Sequence, residues 1–186
     1  AGDRCAFCKT ELVDVLVPLA ARLGITDVVT GTNADDVRAG FRPGIRAAAE
    51  RGAWTPLVRA GLTKDDVREA ARRWGLPLAD KPAAACLASR IAYGVPVSAE
   101  RLARVEAAEE ALRTALVDAG LGVRNLRVRD LGDVARVEVD ASRVPDVIAR
   151  PDLLAAVRGF DRVEVDPRGF RSGSMNELLP DPVRYR

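Results

Sequence analysis

The alternation of helical and strand-like patterns is the feature that most constrains the fold of this chain. Lys9 to Leu23 repeats apolar residues at helical spacing, and Gly24 follows as a natural stop. Residues 25–30 then predict a short buried strand, and the polar turn Gly31-Thr32-Asn33 comes directly after it. A helix, a strand and a glycine turn in this order are typical of an α/β parallel sheet. Two further helices are predicted, over 43–51 and from a cap at Thr63 to about Trp74.

The second half of the chain predicts a small α+β unit. Ser98 opens a long helix to about Ala119, and two alternating segments on either side of residues 130–133 are typical of a β-hairpin. Two short helical segments and a last strand complete the unit, at about 145–149, 151–158 and 162–165. The boundary is placed near Gly94, after an irregular proline-containing segment, so the predicted domains are 1–93 and 94–186.

The composition argues against several classes of protein. The formal net charge is +2, from 29 basic and 27 acidic residues, which disfavours a nucleic-acid partner held by phosphate neutralisation. No apolar run reaches the ~18 residues that a membrane span requires, so no membrane partner is expected. Three cysteines are an odd number for a disulfide framework, and no signal peptide opens the chain, so we expect reduced thiols in the cytoplasm. Because there is no histidine, a metal must be held by thiolates or carboxylates.

Cys5 and Cys8 form a C-x-x-C pair at the start of the first predicted helix. This spacing lets two thiolates converge on one metal or cluster, and a helix N-terminus favours negative sulfur. Three interpretations stay open: a zinc ribbon, which needs a second C-x-x-C, a thioredoxin-type redox pair, which needs a preceding strand, and an iron–sulfur site with Cys86 as its third thiolate. Cys86 is also open to a simpler interpretation, as a small buried apolar residue.

The turn formed by Gly31, Thr32, Asn33 and Asp35 is a candidate ligand-binding segment. It lies where a predicted strand meets the following helix, which is where open α/β sheets bind ligands. Arg42 follows and is placed to bring a guanidinium to the same region. The motif alone is weak, because Asp35 also fits a plain helix cap and Arg42 a solvated surface.

The hairpin and the long helix before it carry further charged candidates. Arg127 and Arg129 alternate on one face of the hairpin, and two guanidinium groups side by side suit a phosphate. The competing interpretation is that Arg127 and Arg129 lie on a solvated face and pair with Glu138. Glu109 and Glu110 on the long helix are expected to be surface charges.

Taken together, these motifs resemble those of the LarE family, the ATP-dependent sulfur transferases of nickel-pincer nucleotide biosynthesis. The resemblance covers essentially the whole chain, and its most specific part is Cys86-Leu-Ala-Ser-Arg90 after Lys81-Pro82. The other motifs occur in the same order, as Arg4-Cys-Ala-Phe-Cys-Lys9, Gly31-Thr-Asn-Ala-Asp-Asp36, Arg42-Pro-Gly44, Gly61-Leu-Thr-Lys64, Tyr93-Gly94, Arg127-Val-Arg129 and Gly169-Phe-Arg-Ser-Gly-Ser174.

The resemblance implies a fold, a reaction and an assembly. The fold is a PP-loop (adenine nucleotide alpha hydrolase-like) parallel-sheet domain followed by a small C-terminal domain. The substrate is a pyridinium mononucleotide whose two carboxylates become thiocarboxylates, with ATP and Mg²⁺ used for activation and the turn at residues 31–35 binding the nucleotide. The family forms homo-oligomers, and a hexamer is the expected state.

The resemblance also implies roles for individual residues. Cys86 falls at the position of the sulfur-donating cysteine, which in single-cysteine members gives up its own sulfur. Members with the extra C-x-x-C hold a [4Fe–4S] cluster with three cysteines, here Cys5, Cys8 and Cys86. The substrate phosphate would be bound by Arg90, Arg127 and Arg129, and Glu110 aligns with a functional glutamate.

One family motif has no counterpart in this sequence. The Ser-Gly-Gly-x-Asp-Ser loop that grips the pyrophosphate of ATP does not occur, so we expect the N-terminal part of the PP-loop domain to be missing from this chain. Two rival functions therefore stay open. A tRNA-thiolating PP-loop enzyme would bind tRNA tightly and in a salt-sensitive way, and a non-catalytic zinc or iron–sulfur module would hold metal without binding ATP.

Overall fold

The described part of the molecule comprises residues 3–40, 42–81 and 84–179 of a computed structural model. It is a mixed α/β protein, and its packing divides these residues into two compact units, 3–81 and 84–179. Residues 84–93, which the sequence analysis assigned to the first domain, therefore pack with the second unit. The domain boundary near Gly94 stays a prediction. Pro82 of the Lys81-Pro82 motif lies outside the described residues.

The first unit is built mainly from helices. Its elements are α1 (Arg4–Arg22), α2 (Ala34–Arg38), α3 (Pro43–Glu50), α4 (Pro56–Arg59) and α5 (Lys64–Arg73). The predicted helices over 9–23, 43–51 and from Thr63 are confirmed. Thr63 caps α5 as expected, since its hydroxyl accepts a hydrogen bond from the Asp66 amide while the Asp66 carboxylate accepts one from the Thr63 amide.

Helices α1 and α3 pack closely against each other in this unit. Val13 of α1 is buried beside Ala48 of α3 and Ala53. Gly44 makes the close approach possible, because a Cβ on it would lie 3.1 Å from the Cys5 carbonyl oxygen. Gly44 thus lets the N-terminal end of α1, which carries Cys5, pack closely against the start of α3.

The buried strand predicted over residues 25–30 is wrong. The described residues of this segment form only one isolated parallel bridge, between Val29 and Trp54, and Val29 is 60% exposed. An apolar run becomes a buried strand only where neighbouring strands pair with it and cover it. The Val29–Trp54 bridge is supported by hydrogen bonds from the Trp54 amide to Val28 and from the Thr30 amide to Trp54.

The second unit combines helices with a three-stranded sheet. Its helices are α6 (Ala99–Asp118), α7 (Val144–Ile148), α8 (Pro151–Leu154) and 3₁₀ helices at Leu87–Arg90, Ala141–Arg143 and Ser174–Leu178, and its strands are β1 (Leu126–Asp130), β2 (Val134–Val139) and β3 (Arg162–Val165). The strand order is β1-β2-β3, with β1 antiparallel and β3 parallel to β2. The predicted hairpin, the long helix capped by Ser98 and the last strand are confirmed. The predicted segment 151–158 ends as a helix at Leu154, and Val157 instead enters the core.

The core of this unit lies between α6 and one face of the sheet. Leu112 and Leu116 of α6 pack with Leu126 and Val128 of β1, and all four are fully buried. Burying a side chain of this size stabilises a fold by about 1.5–3 kcal/mol. Because side chains alternate along a strand, Arg127 and Arg129 point to the opposite face of β1. None of the described helices has the length and hydropathy needed to cross a membrane.

Candidate functional site

A buried cluster of arginines and carboxylates surrounds β1 in the second unit. Arg90 forms a two-pronged ion pair with Glu109, through Nε to Oε1 at 2.9 Å and Nη2 to Oε2 at 3.1 Å. The two side chains are only 6% and 13% exposed, so the pair is largely removed from water. Glu109 Oε1 also accepts a hydrogen bond from the Val128 amide at 3.0 Å, which attaches α6 to β1.

Arg90 also holds the segment that carries Cys86. Its Nη1 donates to the carbonyl oxygens of Ala85 at 2.7 Å and Cys86 at 3.1 Å. The Ser89 hydroxyl donates to the same Cys86 carbonyl at 2.7 Å. Cys86 is a free cysteine that caps the 3₁₀ helix Leu87–Arg90, and it is exposed, so its interpretation as a buried apolar residue is wrong.

Arg129 lies in the same cluster and donates hydrogen bonds through all three of its guanidinium nitrogens. Its Nε and Nη2 donate to Glu138 Oε2 at 3.0 and 2.6 Å, and its Nη1 donates to the Ser89 carbonyl at 3.2 Å. Ser174 completes this network, since it accepts from Arg129 Nη2 and donates to Glu138 Oε1. The pairing with Glu138 that the sequence suggested is present, but it is buried, so the expectation of a solvated face is wrong.

Arg127 is buried beside these groups and lies against an aromatic ring. Its Cζ is 5.2 Å from the centre of the Phe170 ring, and its Nη1 donates to the Leu126 carbonyl at 2.6 Å. Burial lowers the pKa of Arg127, nearby Arg90 lowers it further, and Glu109 opposes this. Arg127 is thus a cation held among other cations, a setting in which a bound anion is electrostatically favoured.

The C-x-x-C pair lies at the N-terminal end of α1, in the first unit. Cys5 and Cys8 are exposed and form no disulfide, and their spacing of three residues places them on one side of the helix. Within residues 3–40, 42–81 and 84–179, no three cysteine, aspartate or glutamate side chains are grouped as a metal site. Cys86 belongs to the second unit, so a site formed by all three thiols stays a prediction.

The predicted nucleotide-binding turn has a clear local structural role. Asn33 is buried and caps α2 in a capping box with Asp36, because its Oδ1 accepts from the Asp35 and Asp36 amides. Asp35 accepts from the Lys64 amide at 2.8 Å, which places it at the start of α5. The N-caps of α2 and α5 are Asn33 and Thr63, so the interpretation of Asp35 as a plain helix cap is wrong. Nucleotide binding by Gly31, Thr32, Asn33 and Asp35 stays a prediction.

Comparison with known proteins places this geometry in context. No protein-family model matches the chain. The chain is 41% identical over 182 residues to an uncharacterized protein of Synechocystis sp., covering 95% of this chain and 65% of that protein. It is 34% identical over 180 residues to the pyridinium-3,5-bisthiocarboxylic acid mononucleotide synthase of Lactiplantibacillus plantarum, covering 95% of this chain and 63% of the synthase. These similarities support the resemblance of the chain to the LarE family.

The chain is also 27% identical over 172 residues to an uncharacterized protein of Methanocaldococcus jannaschii, covering 91% of this chain and 65% of that protein. The chain thus spans a little under two thirds of the length of these relatives. The aligned region includes both units described above, and the LarE motifs at Cys86, Arg90, Arg127 and Arg129 lie within the second.

Sequence reasoning missed the role of Glu109 in this buried cluster. Glu109 was expected to be a surface charge, and that expectation is wrong, because its largely buried side chain pairs with Arg90. Its neighbour Glu110 is exposed, as expected. Helical spacing carried the signal, because Glu109 lies four residues after Val105 and three before Leu112, on the buried face of α6. The functional role predicted for Glu110 stays a prediction.

Proposed function

We propose that this protein is an ATP-dependent sulfur transferase that converts carboxylates of a pyridinium mononucleotide to thiocarboxylates. The observation that carries the proposal is the position of Arg90, which hydrogen-bonds the Cys86 carbonyl and lies in the same buried cluster as Arg127 and Arg129. A free thiol and a group of cations suited to a phosphate are thereby joined in one unit. The name of the Lactiplantibacillus relative, a pyridinium-3,5-bisthiocarboxylic acid mononucleotide synthase, supports the same substrate class.

The three arginines of the cluster are proposed to have different roles. Arg127 and Arg129 would bind the phosphate of the mononucleotide, since guanidinium groups match phosphate oxygens in charge and geometry. Arg90 is bonded to Glu109 and to two backbone carbonyls, so its first role would be to hold the Cys86 segment. A direct contact between Arg90 and phosphate stays a prediction. Fixing the substrate at one end reduces the entropy lost when its carboxylate meets the sulfur.

ATP would make the carboxylate reactive. A carboxylate repels nucleophiles and has a poor leaving group. Attack of a carboxylate oxygen on the α-phosphorus of ATP, with Mg²⁺ on the phosphates, would release pyrophosphate and give an acyl-adenylate, a mixed anhydride from which AMP is a good leaving group. The turn of Gly31, Thr32, Asn33 and Asp35 is proposed to bind the nucleotide. Glu110 is proposed to take part in the proton transfers, for which its exposed carboxylate is available.

The donor chemistry of the three cysteines fits a [4Fe–4S] cluster. Cys5, Cys8 and Cys86 are all exposed and form no disulfide, and thiolates are the ligands such clusters take. These residues would hold the cluster, which when bound would supply sulfide at an iron without a protein ligand. In the alternative, sacrificial route, the Cys86 thiolate attacks the acyl carbon and AMP leaves. Loss of the Cα proton and cleavage of the Cβ–sulfur bond then release the thiocarboxylate and leave dehydroalanine.

The test is a turnover experiment on the whole protein under anaerobic conditions. The protein is given the dicarboxylate pyridinium mononucleotide, ATP and Mg²⁺. The masses of the product and of the intact protein are then measured by mass spectrometry. We expect a thiocarboxylate product that is lost in Cys86→Ser and Arg127→Gln. An unchanged protein mass, with iron content and absorption spectra lost in Cys5→Ser and Cys8→Ser, indicates a cluster, whereas loss of the mass of hydrogen sulfide indicates the sacrificial route.

Other outcomes of this experiment would contradict the proposal. Absence of product together with stoichiometric zinc and no ATP binding would indicate a metal-binding module. Tight, salt-sensitive tRNA binding with thiolated tRNA as product would indicate a tRNA-modifying enzyme.

A further inference from the structure

Glu138 binds Arg129 in a different geometry from that of the Arg90–Glu109 pair. In the Arg90–Glu109 pair, Nε and Nη2 each donate to a separate carboxylate oxygen. In Arg129, the same two nitrogens both donate to Glu138 Oε2, at 3.0 and 2.6 Å. The second oxygen of this carboxylate, Oε1, accepts the Ser174 hydroxyl at 2.7 Å. Glu138 thus divides its two oxygens between an arginine and a serine.

The Ser174 hydroxyl lies between the two charged groups. It accepts a hydrogen bond from Arg129 Nη2 at 3.1 Å while it donates to Glu138 Oε1. Ser174 is 7% exposed and Glu138 only 1%, so the hydroxyl is placed where bulk water has little access. An arginine and a carboxylate commonly pair through two parallel N–H···O bonds to separate oxygens. The hydroxyl holds Glu138 out of that arrangement, because it binds both Oε1 and an N–H of Nη2.

This geometry sets the direction of Nη1, the third nitrogen of the Arg129 guanidinium. The group is planar and rigid, so turning its Nε–Nη2 edge toward both oxygens of Glu138 would also move Nη1. Nη1 donates to the Ser89 carbonyl at 3.2 Å, within the 3₁₀ helix that Cys86 caps. In the described part of the chain, Nη1 is also the nitrogen of Arg129 that binds no carboxylate. The proposed contact with phosphate therefore falls to Nη1.

The backbone around Ser174 fixes the position of its hydroxyl. Gly173 precedes it with a φ of +80°, a conformation that glycine adopts without strain. The 3₁₀ helix Ser174–Leu178 then begins, and its Asn176 side chain accepts a hydrogen bond from the Tyr93 hydroxyl at 3.0 Å. This bond attaches the turn to a second segment of the same unit, so Ser174 is held in place by more than its own hydroxyl.

We propose that Ser174 is a positioning residue for the substrate phosphate, because its hydroxyl sets the angle between Arg129 and Glu138 and so directs Nη1 to the phosphate. Without the hydroxyl, Glu138 would turn to accept Nε and Nη2 on separate oxygens, as Glu109 does with Arg90, and Nη1 would be displaced. The inference rests on the proposed function, since it takes Arg129 as a phosphate ligand. Ser174 itself acts through Arg129.

The test compares two ligands that differ only in the phosphate. Binding of the dicarboxylate pyridinium mononucleotide and of its riboside, which lacks the phosphate, is measured by calorimetry on the whole protein. Ser174→Ala should weaken mononucleotide binding by about tenfold, the effect expected when one charge-assisted hydrogen bond is lost, and leave riboside binding unchanged. Ser174→Thr, which keeps the hydroxyl, should bind the mononucleotide like the wild type.

A matched control removes another serine hydroxyl from the same unit. Ser98 caps α6, and its Oγ accepts from the Arg101 amide at 3.2 Å. Ser98→Ala should lower the unfolding temperature without changing either affinity. If thermal unfolding shows that Ser174→Ala does not fold, Ser174→Cys takes its place, because a thiol fills the same site but forms only weak hydrogen bonds. Failure of both variants to fold would show that the hydroxyl serves the fold itself, which would overturn the inference.

The outcomes separate this inference from the proposed function. If Ser174→Ala binds the mononucleotide like the wild type while Arg129→Lys loses affinity, the role of Ser174 is wrong and the phosphate site stands. Equal weakening of mononucleotide and riboside would show a structural role and would also overturn the inference. If Arg129→Lys, which keeps a positive charge beside Glu138, binds the mononucleotide normally, Arg129 is not a phosphate ligand and the inference fails with that part of the proposed function.

Discussion

At the scale of single residues, the candidate site depends on one glutamate that serves two elements. Glu109 is the ion-pair partner of Arg90 and the acceptor for the Val128 amide of β1. One carboxylate therefore orients the arginine that holds the Cys86 segment and also accepts a backbone hydrogen bond from β1. A buried charge without its partner is costly because neither water nor another charge replaces the lost interaction. The exposed Glu110 beside it has no comparable burial.

This contrast predicts opposite results for two adjacent substitutions. Glu109→Gln should lower the free energy of unfolding by about 3 kcal/mol, because it leaves the Arg90 charge buried without its counter-ion. Glu110→Gln, the matched control, should leave the free energy of unfolding within about 0.5 kcal/mol of the wild type. Urea denaturation measures both. Equal stability of the two variants would contradict the structural role of Glu109, whereas loss of turnover in a stable Glu110→Gln would support the predicted role of Glu110.

At the scale of elements, Asp130 joins α6 to the hairpin. Its carboxylate, which is fully buried, accepts from Arg101 Nη1 at 2.8 Å, Arg104 Nη2 at 2.7 Å and the Gly132 amide at 2.8 Å. The backbone of Asp130 also pairs with the segment after the 3₁₀ helix Leu87–Arg90, since the Ala92 amide donates to the Asp130 carbonyl at 2.8 Å. The end of β1 thus ties α6, the hairpin turn and the segment that follows the Cys86 region.

The hydrogen bonds to Asp130 predict a specific dependence of stability on acid. Burial alone would raise the pKa of Asp130, but hydrogen bonds from Arg104, Gly132 and Arg101 together outweigh it and lower that pKa below its ordinary value. The folded state then binds the proton less readily than the unfolded state. The stabilisation is present above the unfolded pKa of about 3.9, and is lost as pH falls through the lower folded value.

Urea denaturation between neutral and acidic pH tests this. Asp130→Asn should be less stable than the wild type at neutral pH and should lose less stability below about pH 4, because its side chain no longer titrates. Asp133→Asn, an exposed aspartate in the same turn, should follow the wild-type curve. A wild-type slope retained in Asp130→Asn would rule out Asp130 as the source of the acid sensitivity.

At the scale of the whole molecule, the two units are stabilised to different degrees by their own side chains. Among the described residues, the main core cluster of the second unit contains twelve buried apolar residues and that of the first unit three. The first unit also leaves large apolar side chains exposed, including Phe7, Val15, Leu23 and Val29. Its helices therefore owe less of their stability to internal burial.

Hydrogen exchange should reveal this difference in the intact chain. Amides of the central strand β2, such as that of Val137, should exchange much more slowly than amides around Val13 in α1, because opening the second unit exposes a larger core. Mass spectrometry of peptic fragments from both regions gives the comparison. Equal protection in α1 and β2 would show that the first unit is stabilised by more than the packing described for it.

Much of the local structure of this chain is determined by its sequence alone. The caps at Thr63 and Ser98, the hairpin over residues 126–139 and the helix face of Leu112 and Leu116 follow from short-range rules, because the atoms involved are few residues apart. The motifs carrying Cys86, Arg127 and Arg129 were likewise readable, because their chemistry is given by residue type.

Only the tertiary structure decided how those residues are used. That Glu109 faces Arg90, that Arg129 is buried against Glu138 and that Arg127 lies beside Phe170 depend on segments 19, 9 and 43 positions apart in the chain. The strand expected over 25–30 failed for the same reason, since a strand exists only through the partners that pair with it. Burial and pairing are properties of packed surfaces, and local sequence pattern does not specify which surfaces meet.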